Sequence, residues 1–292
     1  MTRFWQLLSI ASMAMGSQSA LAFPEFGQPL VLAPEFADDA AAYNFEGIVA
    51  LSNCSGSIVR FDDSQDTDQA LVLSNGHCVK LIDPGIVIQK QVVNRSFDVL
   101  SASATKLGTV SSKLLLYATM TKTDVSLYQL KETYQDILTK FKIQALTIAR
   151  AAPESGASIE VISGYWKRGY SCTVDGIAPI LKEGNWIFND SLRYSRPGCE
   201  VIGGTSGSPV VAAGTRDLIA VNNTINESGK KCAVNNPCEV GADGSITAVK
   251  GVGYAQETFW FYSCRNAMGV LDLNLAGCLL PKPATLRSQT SH

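Results

Sequence analysis

Short runs of alternating apolar and polar residues, separated by turn residues, recur along most of the chain after residue 45. They group into two stretches, 46–130 and 151–257, and each run is rich in Val, Ile, Leu and Tyr. A period of two residues is typical of β-strands that bury one face. The pattern therefore predicts two β-rich units, each a small barrel or sandwich.

The segment between these units, residues 131–150, has a different period. Apolar side chains recur there at the spacing i, i+3, i+4 and i+7, which indicates one face of a short helix. They are Tyr134, Ile137, Leu138 and Phe141. We therefore expect an inter-barrel connector that contains one short helix.

The two ends of the chain differ from the β-rich units. Residues 1–22 combine Arg3, an apolar stretch and the small-residue site Ala20-Leu21-Ala22, which predicts a secretory signal peptide. The stretch is too short and too interrupted to favour a membrane span, so no membrane association is expected after its removal. Residues 23–45 read as an N-terminal arm or a propeptide, and residues 258–292 as a C-terminal extension.

Charge and cysteine content narrow the function classes. The sequence has 24 Lys and Arg against 26 Asp and Glu, and no basic cluster, which argues against nucleic acid as a partner. An even number of cysteines after a signal predicts disulfides and a secreted or periplasmic location. Without Cys-x-x-Cys and with 2 histidines, neither a metal site nor a cofactor is predicted. The eight cysteines are Cys54, Cys78, Cys172, Cys199, Cys232, Cys238, Cys264 and Cys278.

Ser206 lies in the segment GGTSGSPVV, where glycines surround a serine just before an apolar run. Such a segment forms either an ordinary β-turn or a loop that exposes a nucleophile beside backbone N–H groups. A serine nucleophile needs a base, and that base needs a carboxylate to orient it.

His77 is the candidate base, because His292 is the last residue. It ends a predicted strand in the segment LSNGHC, where a surface histidine in a turn is an equally good interpretation. Asp124 begins the apolar run DVSLYQL, and taken alone it fits an ordinary strand-capping acid. The chain order His77, Asp124, Ser206 favours the catalytic interpretation of all three.

The segments NCSGSIV, LSNGHC, TDVSLYQL and GGTSGSPVV, in this order, resemble the trypsin-like (chymotrypsin-fold) serine proteases over about residues 46–255. The resemblance implies two antiparallel six-stranded β-barrels with the active site in the cleft between them. It implies a secreted serine endopeptidase that hydrolyses peptide bonds through an acyl-enzyme, with a protein or peptide as its partner. We expect a monomer.

The resemblance also assigns roles to residues. Ser206 is implied as the nucleophile, His77 as the general base and Asp124 as the orienting carboxylate. The N–H groups of Gly204 and Ser206 are implied as the oxyanion hole, and Cys54 and Cys78 as a disulfide pair.

One departure from the digestive enzymes of this family bears on activation. Those enzymes have an aspartate just before the nucleophile, which pairs with an amino terminus freed on activation. Here that position is Thr205, which cannot form the ion pair. The chain is therefore more similar to the bacterial glutamyl-endopeptidase-like branch, and we expect no such switch.

Glu200 is the first candidate for substrate specificity. It lies six residues before Ser206, where an ungapped match places the base of the specificity pocket, and an acid there would favour Lys or Arg substrates. Further expected substrate contacts are Gly203, Val221, Asn222 and Asn223.

The six remaining cysteines allow fifteen pairings. Proximity favours Cys172–Cys199, Cys232–Cys238 and Cys264–Cys278.

The sequence alone leaves two alternatives to the protease open. One is a catalytically inactive homologue of the same fold that acts as a binding protein, and the other is a disulfide-rich β surface protein.

Overall fold

The structure is a computed structural model that describes residues 42–283. The expected signal peptide, most of the expected arm, the end of the C-terminal extension and His292 lie outside these residues. The helices described are Tyr134–Phe141 and Trp260–Ser263. The strands are β1 Ile48–Ala50, β2 Ser55–Arg60, β3 Gln69–Ser74, β4 Val87–Val92, β5 Ser96–Leu100, β6 Lys106–Thr119, β7 Val125–Thr133, β8 Leu146–Ile148, β9 Ser158–Ser163, β10 Arg168–Glu183, β11 Trp186–Tyr194, β12 Pro209–Ala212, β13 Asp217–Ile225, β14 Cys238–Val240, β15 Ile246–Thr247 and β16 Gly253–Glu257.

The strands form two closed antiparallel barrels. In the first, the order β1-β5-β6-β7-β3-β2 closes through pairing of β2 with β1. In the second, the order β13-β12-β9-β10-β11-β16 closes through pairing of β16 with β13. Strand β8 pairs in parallel with β2 and β13 and so joins the barrels. The all-β fold class expected from the sequence, with two six-stranded barrels, is confirmed.

The short helix in the connector follows from its sequence. Thr133 is the N-cap, and its side chain and that of Asp136 form a reciprocal capping box. Three of the four predicted apolar positions, Tyr134, Ile137 and Phe141, are buried. Leu138 is 36% exposed, so it lies at the edge of the packed face.

The hairpin of β10 and β11 reaches from the second barrel to the first. Trp186 Nε1 donates a hydrogen bond to the Ile82 carbonyl oxygen at 2.8 Å. The Asn189 N–H donates to the Lys122 carbonyl oxygen at 2.7 Å. Phe188 is buried in the same apolar cluster as the core of the first barrel. The hairpin therefore bridges the two barrels beside the cleft.

Both ends of the described chain pack on the first barrel. Phe45 is fully buried in an apolar cluster beside the first barrel, and its N–H donates to the Ala102 carbonyl oxygen at 3.1 Å, so the end of the expected arm is packed on that barrel. In the C-terminal extension, Phe261 is fully buried and lies edge-on to Tyr117. The Tyr117 hydroxyl donates to the Pro281 carbonyl oxygen at 3.0 Å. The extension therefore packs against the first barrel in a second apolar cluster, separate from the one that contains Phe188.

Four disulfides cross-link the chain. They join the pairs expected from the sequence, which are Cys54–Cys78, Cys172–Cys199, Cys232–Cys238 and Cys264–Cys278. Within residues 42–283, the structure contains no helix with the length and apolar character needed to cross a membrane.

We expect Phe261→Ala to destabilise the protein by about 3–5 kcal/mol, because it removes a buried aromatic ring from the apolar cluster between the extension and the first barrel. Chemical denaturation monitored by fluorescence measures this change. Met268→Ala is the control in the same extension, since Met268 is 83% exposed. Equal unfolding free energies for the two variants would contradict the core role of the extension.

Candidate active site

His77 and Asp124 form a double contact at one end of the first barrel. The carboxylate of Asp124 accepts a hydrogen bond from the His77 backbone N–H at 2.9 Å. Its second oxygen lies 2.6 Å from His77 Nδ1. Asp124 is 1% exposed, whereas the His77 side chain is 24% exposed. The ring is thus fixed on its inner side and accessible on the other.

Neighbouring polar groups hold this pair in position. Asn75 Nδ2 donates to the Asp124 carbonyl oxygen at 2.8 Å. The Ser126 hydroxyl donates to the Asn75 carbonyl oxygen, also at 2.8 Å. The Cys54–Cys78 disulfide anchors the residue after His77. The ends of β3 and β7 are therefore tied together at the point where histidine and aspartate meet.

The pKa of His77 is raised above its ordinary value. Burial lowers this pKa by disfavouring the imidazolium, but the charge and hydrogen bond of Asp124 raise it by more. Glu183 adds a smaller effect in the same direction. The hydrogen bond to Asp124 assigns the proton of the neutral ring to Nδ1, which leaves Nε2 as the basic nitrogen.

Ser206 sits on a loop whose shape requires its glycines. Gly204 has φ +88°, and a Cβ there would lie 2.8 Å from Trp166 Nε1. Gly207 has φ +78°, and a Cβ there would overlap the Ser55 carbonyl oxygen. Glycine alone adopts both conformations without strain or collision. This explains the glycine-serine pattern seen in the sequence.

The backbone N–H groups on either side of Thr205 are available to a ligand. Thr205 N donates to the Ile202 carbonyl oxygen, and Gly207 N donates to that of Asn222, each at 3.0 Å. By contrast, the N–H groups of Gly204 and Ser206 make no hydrogen bond within the described chain. Such a pair of free donors beside a serine is the arrangement that stabilises an oxyanion.

The loop is held by side chains of the protein itself. Thr205 is fully buried, and its carbonyl oxygen accepts hydrogen bonds from Ser208 Oγ at 2.6 Å and from Asn222 Nδ2 at 3.1 Å. Asn222 Oδ1 accepts from the Tyr194 hydroxyl at 3.0 Å. The Ser55 N–H donates to the Ser206 carbonyl oxygen at 2.8 Å, so the first barrel also supports the loop.

Ser206, His77 and Asp124 line the same cavity between the barrels. The Ser206 hydroxyl donates a long hydrogen bond to the Asn223 carbonyl oxygen at 3.5 Å, and within residues 42–283 it makes none with His77. Catalytic hydrogen bonds are often long or misaligned before substrate binds. The three predicted site residues are thus brought together, with the serine turned toward β13.

The structure separates the expected specificity residues into two sets. Gly203, Asn222 and Asn223 line the cavity. Glu200 does not, because it is exposed and accepts a hydrogen bond from the Gly198 N–H of its own loop at 3.0 Å. Val221 is fully buried in the core and does not line the cavity either.

The two asparagines have different roles in the cavity wall. Both ends of the Asn222 amide are used inside the protein, so this side chain supports the serine loop. Asn223 Nδ2 is buried and has no hydrogen-bond partner among the described residues. Asn223 therefore remains the candidate donor for a substrate.

Several residues of the cavity wall were missed by the sequence analysis. They come from the β10–β11 hairpin and from the loop after β13, and they are Glu183, Trp186, Phe188, Glu227, Val234 and Asn235. The turn residues Gly184 and Asn185 do signal a hairpin, but no local pattern shows that its tip reaches the cleft.

One group of potential metal ligands occurs in the described part of the chain, namely Cys54, His77 and Cys78. The two sulfurs of this group are bonded to each other as a disulfide. They are therefore not thiolates, and this group does not provide a metal site.

Comparison of the sequence with protein-family models and with curated proteins gives no match. Solved structures do resemble this chain. The apo MamO protease domain from Magnetospirillum magneticum is 13% identical with a TM-score of 0.45, covering 74% of this chain and 94% of that one. A Nocardiopsis protease is 12% identical with a TM-score of 0.42, covering 73% and 91%. A glutamic acid specific serine protease is 13% identical with a TM-score of 0.38, covering 72% and 91%.

We expect Asp124→Asn to move the titration of His77 to lower pH. The substitution removes the negative charge that stabilises the imidazolium, so the raised pKa of His77 falls. NMR of the imidazole ring measures the midpoint directly. Glu200→Gln is the control, because Glu200 lies outside the cavity, and it should leave the midpoint unchanged. A midpoint that stays or rises in Asp124→Asn would contradict this electrostatic coupling.

Proposed function

We propose that the chain is an exported serine endopeptidase that cleaves peptide bonds through an acyl-enzyme. The observation that carries this proposal is the 2.6 Å contact of His77 with Asp124 in the wall of the cavity that holds Ser206. The free N–H groups of Gly204 and Ser206 add a second element of the same chemistry. The fold expected of such an enzyme supports the proposal but does not by itself define an activity.

In this mechanism the Ser206 hydroxyl attacks the carbonyl carbon of the substrate. His77 Nε2 accepts the proton of the hydroxyl and later gives it to the leaving amine. Asp124 keeps the Nδ1 proton in place and stabilises the imidazolium that forms. Rotation of the Ser206 side chain away from Asn223 brings the hydroxyl to His77.

The carbonyl oxygen becomes negatively charged when the serine attacks. The N–H groups of Gly204 and Ser206 stabilise that charge, and one such donor is worth about 100-fold or more in rate. The loop that carries these groups is held by Asn222 and Ser208, so its donors are positioned before substrate arrives.

Export is proposed from the cysteines as well as from the N-terminal sequence. All eight cysteines are paired in the structure, and disulfides persist in oxidising compartments. An exported enzyme stabilised by disulfides would meet its protein or peptide substrate outside the cytoplasm.

The first test is labelling by a fluorophosphonate probe, which reacts with activated serines. We expect labelling of the native chain and its loss in Ser206→Ala and in His77→Ala, because the serine needs both its hydroxyl and its base. Ser103→Ala, which removes an exposed hydroxyl outside the cavity, is the matched control and should label normally. A folded native chain that does not label would favour a binding protein without catalysis.

A second test concerns the serine loop. Because Asn222 and Ser208 hold the Thr205 carbonyl oxygen, we expect the active protein to label equally well with a free or a chemically blocked amino terminus. Labelling that requires a free amino terminus would show that the loop forms by insertion of that terminus.

The Asn222 side chain is one of the two supports of the loop. Asn222→Ala removes it, and we expect the labelling rate to fall by about 10- to 100-fold.

A further inference from the structure

In the described part of the chain, the residues that line the cleft around Ser206 include three carboxylates and no lysine or arginine. Among the described residues that line the cavity, the ionisable ones are His77, Asp124, Glu183 and Glu227. Asp124 is engaged with His77. The other two carboxylates have no part in the proposed mechanism, and they form no salt bridge within the described chain.

Glu183 is the more buried of the two carboxylates. It is the last residue of β10, at the tip of the hairpin that bridges the barrels, and it is 8% exposed. Its Oε1 accepts a hydrogen bond from the Asn235 N–H at 2.7 Å. Burial raises the pKa of Glu183, and hydrogen bonds from Thr224 and Asn235 oppose that change. His77 is the ionisable base that acts on Glu183, and within residues 42–283 no lysine or arginine forms a salt bridge with it. A cation supplied by a ligand would offset the desolvation of this carboxylate.

Glu227 lies in the same cavity wall, close to the serine loop. It is exposed, and its Oε1 would lie 3.7 Å from a Cβ added to Gly203, three residues before the serine. The Glu227 N–H donates to the Asn235 carbonyl oxygen at 3.0 Å. Asn235 therefore links both acids, binding the Glu183 carboxylate through its N–H and the Glu227 backbone through its carbonyl.

The segment that carries Glu227 and Asn235 is held in one conformation by a disulfide and by side-chain hydrogen bonds. The Cys232–Cys238 disulfide closes it. Asn226 Nδ2 donates to two carbonyl oxygens across it, those of Lys230 and Pro237, each at 2.9 Å. A site that is ordered before binding avoids the entropy cost of ordering a loop around its ligand.

We propose that Glu183 and Glu227 form a recognition site for a lysine or arginine side chain of the substrate close to the scissile bond. This inference rests on the proposed endopeptidase function. The charged end of the substrate side chain pairs with the two carboxylates, while its apolar stem packs on Trp186 and Val234 in the same wall. An acidic substrate side chain would face like charges and be rejected. Glu200, turned to its own loop, takes no part.

The test compares peptides that carry arginine or its uncharged isostere citrulline at each of the three positions before the cleaved bond. For the native enzyme, we expect arginine to raise kcat/KM by about 10- to 100-fold at one position, as for a charge-assisted hydrogen bond. Glu183→Gln should remove most of this preference, measured as the ratio of kcat/KM for the arginine and citrulline peptides within the same variant, because that ratio cancels any effect of the lost charge on His77. Glu227→Gln should lower the preference by about 2- to 5-fold, because Glu227 is exposed.

Glu200→Gln is the matched control and should keep the full preference. The proposal would be overturned if no position prefers arginine, or if both cavity variants keep the native ratio. Fluorophosphonate labelling tells this failure apart from a failure of the proposed function. If the native chain does not label, the recognition site is tested by binding of the same fluorescein-labelled peptides to Ser206→Ala. Equal affinity for the arginine and citrulline peptides would then overturn the proposal.

Discussion

The buried carboxylate of Asp124 is the constraint on which the site depends. A charge that is 1% exposed is retained in a protein only where hydrogen bonds and an opposite charge compensate its desolvation. Here the compensation comes from the backbone N–H and the ring of His77, so the same residue supplies both donors. The aspartate thereby fixes the position of the histidine main chain and the orientation of its ring in one contact.

The second half of the site depends on contacts that cross between the barrels. The Ser55 N–H of the first barrel bonds the Ser206 carbonyl oxygen, and Ser55 Oγ lies 3.1 Å from Ser163 Oγ of the second barrel. Ser55 is fully buried, so these bonds are shielded from water. The distance between the serine loop and the histidine is therefore set by packed structure and does not rely on flexible loops.

The sequence predicts a feature well where the backbone conformation requires particular residues close together in the chain. The glycines around Ser206 are required by positive φ angles and close approach, and such requirements leave a recognisable motif. The capping box at Thr133 and Asp136 is local in the same way. The two barrels were predicted from the alternating pattern and the family resemblance, the connecting helix from its apolar spacing, and the cysteine pairs from proximity along the chain and from the same resemblance.

The cavity wall beyond the serine could not be predicted in this way. Glu200 has the expected spacing from Ser206, yet a hydrogen bond to Gly198 turns it away from the cleft. Glu183 has no motif at all, since its position depends on the docking of a distant hairpin through Trp186 and Ile82. Contacts between elements far apart in sequence decide which side chains surround a cleft, and residue spacing along one strand does not encode them.

The packing of the C-terminal extension on the first barrel has a consequence for the order of assembly. A chain is synthesised from its amino end, and domains generally fold as they become complete. All six strands of the first barrel have been synthesised by Thr133, whereas Trp260, Phe261 and Leu280, which pack in an apolar cluster against that barrel, come much later in the chain. The first barrel is thus the first to be synthesised, but this part of its apolar surface is buried only after the C-terminal extension has been made.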